Sequence, residues 1–172
     1  MEKLEKVSTL GVNLSMNSSY TYTTPNKTDI KFLKTHPDAV LPERNHKHPF
    51  TGDSGYDVTA VEDTVIPARG AVVVPVGLKL AYLPPGVWIR IESRSGLQFK
   101  YGLQAFNGII DNQYRGDLGI RMLNHSDNDY TVKKGDRVAQ FVLYSLIAAT
   151  PFWAEEVHET ERGDKGFGSS GN

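Results

Sequence analysis

The sequence predicts an all-β domain, either a sandwich or a jelly-roll-like β-barrel. Short segments rich in Val and Ile are separated by turn residues, and the chain holds 16 Gly and 9 Pro. Apolar side chains alternate along these segments, so that Val87, Ile89 and Ile91 share one face and Trp88 and Arg90 the other. A length of 172 residues suits one domain with tails better than two domains.

Residues 30–161 are expected to form the core of the domain. The longest apolar stretch, 138–149, has the length of a buried helix, but Val, Phe, Tyr and Ile dominate it and Pro151 closes it. It is therefore expected to be a long core strand. The other candidate strands, each bounded by turn residues, are 71–82, 87–91, 118–123 and 130–132.

The two ends of the chain differ from this core. Residues 1–29 are rich in Ser, Thr, Asn and Lys without a sustained period, and they are expected to form an N-terminal extension. Residues 162–172 carry one aromatic side chain among several glycines. They can bury too little surface to offset a backbone entropy of about 1–2 kcal/mol per residue, so a mobile arm is expected.

The composition excludes several classes of protein. The chain has no Cys, which removes disulfides and thiolate chemistry and favours a cytoplasmic setting, or the host cytoplasm for a viral source. No apolar run approaches the roughly 18 residues of a membrane span. A net charge of -1 argues against a broad nucleic-acid surface. Direct binding to nucleic acid or membrane is therefore not expected.

Five segments combine Gly, Asp, Arg and Ser in ways that strand formation does not require. Each by itself is ordinary turn material. Together they could bind a phosphate chain, because Arg94, Ser95 and the amides around Gly96 would form a small polar loop with forked donors and close backbone approach. The five segments are 52–60, 92–99, 106–118, 134–143 and 162–171.

Two carboxylates and two histidines are further candidates. Asp111 follows an apolar pair and could orient a water as general base, although an Asp that opens a turn explains it equally well. Asp57 could hold a hydrated Mg²⁺, or it could be a turn or capping residue. His46 and His48 have no third soft ligand nearby, so they are expected to face solvent rather than bind a metal.

Taken in order, the five segments resemble the motifs of the homotrimeric deoxyuridine triphosphate nucleotidohydrolases, the dUTPases. The resemblance runs from about Lys31 to the C-terminus. It implies a β jelly roll assembled as a homotrimer, with active sites shared between subunits and closed by the C-terminal arm. The residues that carry it are Gly-Tyr-Asp at 55–57, Arg-Ser-Gly-Leu at 94–97, Gly-Ile-Ile-Asp-Asn-Gln-Tyr-Arg-Gly at 108–116, Lys-Gly-Asp-Arg-Val-Ala-Gln at 134–140 and Arg-Gly-Asp-Lys-Gly-Phe-Gly-Ser-Ser-Gly at 162–171.

The resemblance also implies a role for each matching residue. Asp111 would orient the attacking water as the catalytic base, and Asp57 would hold the cofactor Mg²⁺ through water. Tyr114 would pack against the deoxyribose where a ribose 2′-hydroxyl would collide, and Arg137 would brace the site. The other residues implied to bind dUTP are Arg94, Ser95 and Gly96 at the phosphates, Asn107, Gly108 and Ile110 at the uracil, Gln140 near the phosphates and water, and Arg162, Phe167, Gly168 and Ser169 in the arm.

The reaction implied is hydrolysis of dUTP to dUMP and pyrophosphate by in-line attack on the α-phosphorus. It would keep uracil out of DNA and supply dUMP for thymidylate synthesis. An alternative of the same fold, a dCTP deaminase, would need a catalytic Glu in the stretch where Arg121 and Met122 stand. A third hypothesis is a nucleotide-gated interaction module whose protein partner binds residues 1–29 or the loop 43–52.

Three positions depart from the family pattern. Lys165 stands where the family usually has Gly, Ser170 where it usually has Thr, and Gln98 where it usually has a small residue. A Lys among the tail glycines adds a charge that attracts phosphate but restricts the backbone, so the departures bear chiefly on closure of the arm.

Overall fold

The computed structural model describes residues 29–48, 51–161 and 163–164. The predicted extension lies outside the described residues up to residue 28, and so do four predicted arm residues, Arg162, Phe167, Gly168 and Ser169. Two of the three departures from the family pattern, Lys165 and Ser170, also lie outside them.

The described residues form ten strands and one short helix. In chain order these are β1 (Lys31–Lys34), β2 (Gly55–Thr59), β3 (Thr64–Ile66), β4 (Ala71–Tyr82), β5 (Val87–Glu92), α1 (Ser95–Tyr101), β6 (Leu103–Ala105), β7 (Ile109–Ile110), β8 (Asp117–Asn124), β9 (Tyr130–Val132) and β10 (Arg137–Ser145).

Two four-stranded antiparallel sheets face each other across the core. One has the order β1-β4-β8-β6 and the other the order β2-β10-β5-β7, while β3 and β9 form a separate two-stranded sheet. Alternate side chains of both sheets meet between them, among them Ile120 from β8 and Phe141 from β10, which are at most 1% exposed. The predicted all-β fold of the jelly-roll type is confirmed, although the barrel is not closed.

The predicted alternation along the strands is also confirmed. In β5, Ile89 and Ile91 are buried while Arg90 is only partly covered, and in β8 the apolar Leu118, Ile120 and Met122 are all buried. The longest strand, β4, contains Pro75 in its middle. It tolerates this proline because its register with β8 shifts between Pro75 and Leu78, where Gly77 adopts a φ of 63°.

Two predicted segments differ from the structure. The loop expected at 94–96 is the start of α1, because the amides of Leu97 and Gln98 both bond the carbonyl of Arg94. The strand expected at 138–149 ends at Ser145, because Ser145 pairs with Val87, the first residue of β5, and no partner strand continues beyond it. The described residues after Ser145, which are 146–161 and 163–164, are exposed.

The second sheet brings four of the five motif segments side by side. Its order, β2-β10-β5-β7, places the segments around Asp57, Gln140, Glu92 and Ile110 on consecutive strands. The register aligns Asp57 with Gln140 and Gln140 with Glu92 in one row. Within the described part of the chain, no helix is long and apolar enough to cross a membrane.

Candidate functional site

Asp57 on β2 is the centre of an ion-pair network. Its Oδ1 accepts a hydrogen bond of 2.8 Å from Nε of Arg94, and its Oδ2 accepts one of 3.0 Å from Nη1 of Arg137. The carboxylate side chain is only 15% exposed, so solvent screens these pairs less than surface pairs. Two guanidinium charges against one carboxylate leave the cluster positive, which suits it to an anion.

Arg94 links this network to the start of α1. Besides its contact with Asp57, its Nη1 donates to the carbonyl of Arg137 at 3.0 Å. Ser95 and Gly96 follow on an exposed first helical turn, where backbone N–H groups have no partner within the helix. Three of the sequence-predicted phosphate ligands, Arg94, Ser95 and Gly96, therefore lie beside Asp57.

Gln140 lies on β10 between these groups. Its Nε2 donates to the carbonyl of Ser93 at 2.9 Å, and it pairs in register with Asp57. The side chain lies directly on Gly55, where a Cβ would come within 2.8 Å of the Gln140 Cδ atom. Any side chain at position 55 would displace this carboxamide, so Gly55 leaves the space that Gln140 occupies.

The segment 107–110 lies at the far edge of the same sheet. The carbonyl of Gly108 accepts a hydrogen bond from the Ile91 amide at 2.9 Å, and Nδ2 of Asn107 donates to Glu92 at 3.2 Å. Ile110 is buried while Ile109 is exposed. The backbone of this segment is thus held against β5, as recognition of a base edge by backbone groups requires.

Asp111 opens the turn that follows β7. Its carbonyl accepts the Tyr114 amide at 3.0 Å, and its side chain is exposed. Among the described residues, no hydrogen bond or ion pair engages its carboxylate. The next residue, Asn112, anchors the turn, because its Nδ2 lies 2.7 Å from the carbonyl of Pro84 and 3.0 Å from that of Val87.

Tyr114 folds back over its own turn. Its hydroxyl donates to the carbonyl of Asp117 at 3.0 Å, and a Cβ at Gly116 would come within 2.7 Å of its Cζ. The side chain is nevertheless 44% exposed. The hydrogen bond to Asp117 therefore holds the Tyr114 ring in place while part of the ring stays exposed.

These residues form two groups that are far apart in one chain. Asp57 and Ile110 lie on the two edge strands of the sheet, three strand spacings or roughly 14 Å apart. Ile110 pairs with Ile89 on β5, which lies three residues before Glu92, the β5 residue in the same row as Asp57. With this offset along the strands, Asp57 and Ile110 are roughly 17 Å apart. A carboxylate acting through one water reaches only a few Å, so Asp111 does not reach a phosphate held at Arg94 of the same chain.

The donor groups around Asp57 fit a magnesium ion only in part. Mg²⁺ is commonly bound by one or two carboxylates together with waters and substrate phosphates. Both Asp57 oxygens are engaged by cations, although a carboxylate has about four lone-pair sites in all. The described residues contain no group of three His, Asp or Glu side chains placed to hold a metal. The residues therefore fit an ion whose inner ligands come from the triphosphate.

Residues 43–48 and 51–53, the described part of the loop 43–53, lie beside the Asp57 network, which Glu43 and Asn45 contact directly. The Asp53 amide donates to the His46 carbonyl at 3.0 Å and the His46 amide donates to Asp53 Oδ2 at 3.1 Å. The His46 Nδ1 also lies 2.9 Å from Asp53 Oδ1. Hydrogen bonds from the His46 amide and then from its ring lower the pKa of the Asp53 carboxyl. His46 and His48 are both exposed, and Nδ1 of His48 lies 2.8 Å from Oγ1 of Thr51.

Several residues that shape the site were not predicted from the sequence. Asn45 bonds both Asp57 and Arg137, Asn112 anchors the turn of Asp111, and Gly55 and Gly116 make room for Gln140 and Tyr114. An Asn in a polar loop carries no signal of a long-range partner. The two glycines stand inside matched motifs, but their role depends on which side chain crosses them in three dimensions.

Comparison with known proteins identifies similar sequences. Residues 45–171 match the family model described as dUTPase. A mitochondrial deoxyuridine 5′-triphosphate nucleotidohydrolase of Dictyostelium discoideum is 39% identical over 147 residues, which is 86% of this chain and 79% of the relative. The corresponding enzyme of Eremothecium gossypii is 45% identical over 120 residues, or 69% of this chain and 78% of the relative.

Solved structures resemble the described fold. The dUTPase of Staphylococcus bacteriophage 80alpha, determined with dUpNHpp, is 30% identical with a TM-score of 0.75, covering 84% of this chain and 99% of the phage chain. A mutant dUTPase from phage phi11 of S. aureus, described as revealing the coordination of a structural Mg(II) ion, is 25% identical with a TM-score of 0.67, covering 76% of this chain and 99% of the phage chain.

Proposed function

This chain belongs to the dUTPase family, and we propose that it hydrolyses dUTP to dUMP and pyrophosphate by attack of water on the α-phosphorus. The observation that carries the proposal is the positive cluster formed by Arg94 and Arg137 around Asp57, beside the free amides of α1. A multiply charged anion such as a triphosphate suits this cluster. As a member of that family the chain is an enzyme, a hydrolase of nucleotide metabolism.

In the proposed reaction, Asp111 orients and deprotonates a water that lies in line with the bond to the leaving group. The oxygen of this water forms a bond to the α-phosphorus, and the bond from that phosphorus to the bridging oxygen breaks. The proton goes to the Asp111 carboxylate, and pyrophosphate leaves with the electron pair. Arg94 and the amides of Ser95 and Gly96 neutralise the charge that develops on the phosphates. No covalent intermediate is required.

Mg²⁺ is the proposed cofactor, with Asp57 holding it through water. When bound, it would supply neutralisation of the charge that develops on the triphosphate. Support comes from the single shielded carboxylate of Asp57, and a structural Mg(II) ion is described for the phi11 relative. Gln140, held beside Asp57 through Ser93, would fix the position of a phosphate or of the attacking water.

Specificity for deoxyuridine would come from the segment at the other edge of the sheet. The backbone groups of Asn107, Gly108 and Ile110 are held against β5 and would read the donor and acceptor pattern of uracil. The Tyr114 ring, fixed on Gly116, would face the sugar and exclude a 2′-hydroxyl. Arg162, Phe167, Gly168 and Ser169 would cover the phosphates and the base from the arm.

We further propose that the active site is shared between copies in a homotrimer. Asp111 lies too far from Arg94 in one chain for one water to bridge them, so a second copy would supply the base. The segment after β10 supports an assembly, because its side chains Ile147, Phe152 and Trp153 are at least 86% exposed. Several exposed apolar side chains of this size close together in the chain are typical of a surface that another protein covers.

The test of the proposed activity is pyrophosphate release from dUTP, UTP and the four common deoxynucleoside triphosphates, dATP, dGTP, dCTP and dTTP, each with and without Mg²⁺. We expect release from dUTP with Mg²⁺ and little from the others. Equal release from all six nucleotides would contradict the assigned specificity. Ammonia production from dCTP would instead support the deaminase alternative. The stretch in which a deaminase would carry its catalytic Glu contains the exposed Arg121 and no Glu.

The remaining sequence-based expectations stay predictions. These are the domain limits at 30 and 161, a protein partner for residues 1–29 or the loop 43–52, the supply of dUMP for thymidylate synthesis, and a cytoplasmic location. The Dictyostelium relative is named a mitochondrial protein.

A further inference from the structure

The loop 43–53 is joined to the strand that carries Asp57. Glu43 and Asp57 form an antiparallel bridge, in which the Asp57 amide donates to the Glu43 carbonyl at 2.7 Å and the Glu43 amide donates back at 3.3 Å. The first residue of the loop, Glu43, is therefore joined to the backbone of Asp57. Two residues further along the loop, Asn45 bonds the carboxylate of Asp57.

Asn45 makes two opposite hydrogen bonds in the Asp57 network. Its Nδ2 donates to Asp57 Oδ2 at 3.1 Å, and its Oδ1 accepts from Arg137 Nη1 at 2.8 Å. A carboxamide carries both a donor and an acceptor, so a single Asn side chain can donate to a carboxylate and accept from a guanidinium. The amide thus closes a triangle with the ion pair of Asp57 and Arg137.

The conformation of the loop fixes the position of this amide. His46 and Asp53 close it with backbone and side-chain hydrogen bonds, immediately next to Asn45. Gly52 lies within the closure, where a Cβ would come within 2.9 Å of the His48 amide nitrogen. The hydrogen bonds between His46 and Asp53 therefore hold the neighbouring Asn45 in place beside Asp57.

We propose that Asn45 is a positioning residue of the triphosphate site, through which the loop 43–53 sets the orientation of Arg137 and Asp57. Asp57 in turn holds Nε of Arg94 at 2.8 Å, so Asn45 acts on a proposed phosphate ligand through two linked contacts. This role rests on the proposed hydrolysis of dUTP. It predicts a larger effect on binding of the phosphates than on kcat, because loss of Asn45 loosens the orientation of Asp57 and Arg137 but leaves these two residues and Arg94 in place.

The test compares Asn45→Ala and Asn45→Asp in the full-length chain by steady-state hydrolysis of dUTP. Asn45→Ala should raise KM about tenfold, as expected for lost hydrogen bonds to charged groups, with kcat within about twofold of wild type. Asn45→Asp should raise KM at least as much although it conserves size, because it places a second carboxylate beside Asp57 and so lowers the net charge of the cluster by one. Affinity for the uncleavable analogue dUpNHpp should fall by the same factor as KM rises.

Two controls separate positioning from a general loss of structure. Deoxyuridine has no phosphate, so its inhibition constant as a competitor should be unchanged by either substitution. Lys47→Ala removes an exposed side chain of the same loop, whose partner is Glu43, and should leave KM unchanged.

The outcomes distinguish this role from the proposed function. An active wild type with unchanged KM in Asn45→Ala would overturn the role of Asn45 alone. A parallel loss of deoxyuridine binding, or a milder effect of Asn45→Asp than of Asn45→Ala, would overturn it as well. A wild type without activity on dUTP would overturn the proposed function and this role together.

Discussion

The ring of Tyr114 lies on Gly116, close enough that a Cβ at position 116 would come within 2.7 Å of the tyrosine Cζ. The hydroxyl of the ring bonds the carbonyl of Asp117 on the far side of the turn. Gly116→Ala should therefore displace the ring and lower the preference for dUTP over UTP, as Tyr114→Ala should. The measurement is the ratio of kcat/KM for the two nucleotides.

In the Tyr114→Ala background, Gly116→Ala should have little further effect on that ratio, because the ring it would displace is gone. Gln113→Ala, an exposed residue of the same turn, is the matched control and should leave the ratio unchanged. Unchanged discrimination in Gly116→Ala and in Tyr114→Ala would place selection against the 2′-hydroxyl elsewhere.

Gly55 and Gln140 form a second pair of this kind. Gly55→Ala should push the Gln140 carboxamide off Ser93, and overpacking of this kind costs about 1–3 kcal/mol of the free energy of unfolding. We expect a lower midpoint in urea and a lower kcat/KM for dUTP. If the clash with Gln140 is the cause, the loss in the free energy of unfolding should be much smaller when Gly55→Ala is made together with Gln140→Ala. A purely additive double variant would show that Gly55 acts in another way.

Asp111→Asn tests the proposed base. The carboxamide keeps the size of the side chain but cannot accept the proton of water, so kcat should fall by about 10² or more. Affinity for dUpNHpp, measured by calorimetry, should stay within about twofold, because the carboxylate makes no contact in the described part of the chain that its loss would break. Near-normal kcat would contradict this assignment.

Asp63 gives the fold a predictable dependence on pH. A hydrogen bond from the Lys133 side chain, followed by one from the Lys134 amide, lowers the pKa of Asp63. A carboxyl whose pKa is lower in the folded state adds stability above its unfolded pKa of about 3.9 and loses it as the pH falls through the folded value. Asp63→Asn should therefore unfold at lower urea than wild type at pH 6, with the difference shrinking below pH 4. An equal difference at both pH values would contradict this linkage.

Much of the fold follows from local pattern. The alternation of Ile89 and Ile91 with Arg90, and of Leu118 and Ile120 with Arg121, fixes which face of each strand is buried. The end of the last strand, β10, does not follow from local pattern, because residues 146–149 are as apolar as the strand before them. That strand stops where its neighbour β5 begins, which is a property of the pairing and not of the segment itself.

The site could be predicted from sequence only as a set of residues. The motifs indicated Asp57, Arg94 and Gln140, and the structure brings these three together. The sequence did not indicate that Asn45 and Arg137 contact Asp57, because these residues are 12 and 80 positions away from it along the chain. It also predicted a loop at 94–96, although the amides that follow Arg94 close a helical turn on its carbonyl.

The central claim is that the phosphate ligands and the catalytic base of one site come from different copies of the chain. The most direct test is to co-express Arg94→Ala with Asp111→Asn at equal levels and measure dUTP hydrolysis by the mixed assemblies. If neighbouring copies share the site, about a quarter of the sites pair an intact Arg94 with an intact Asp111, and about a quarter of wild-type activity should return. Activity no higher than that of either variant alone would show that each site lies within one chain and would contradict this account.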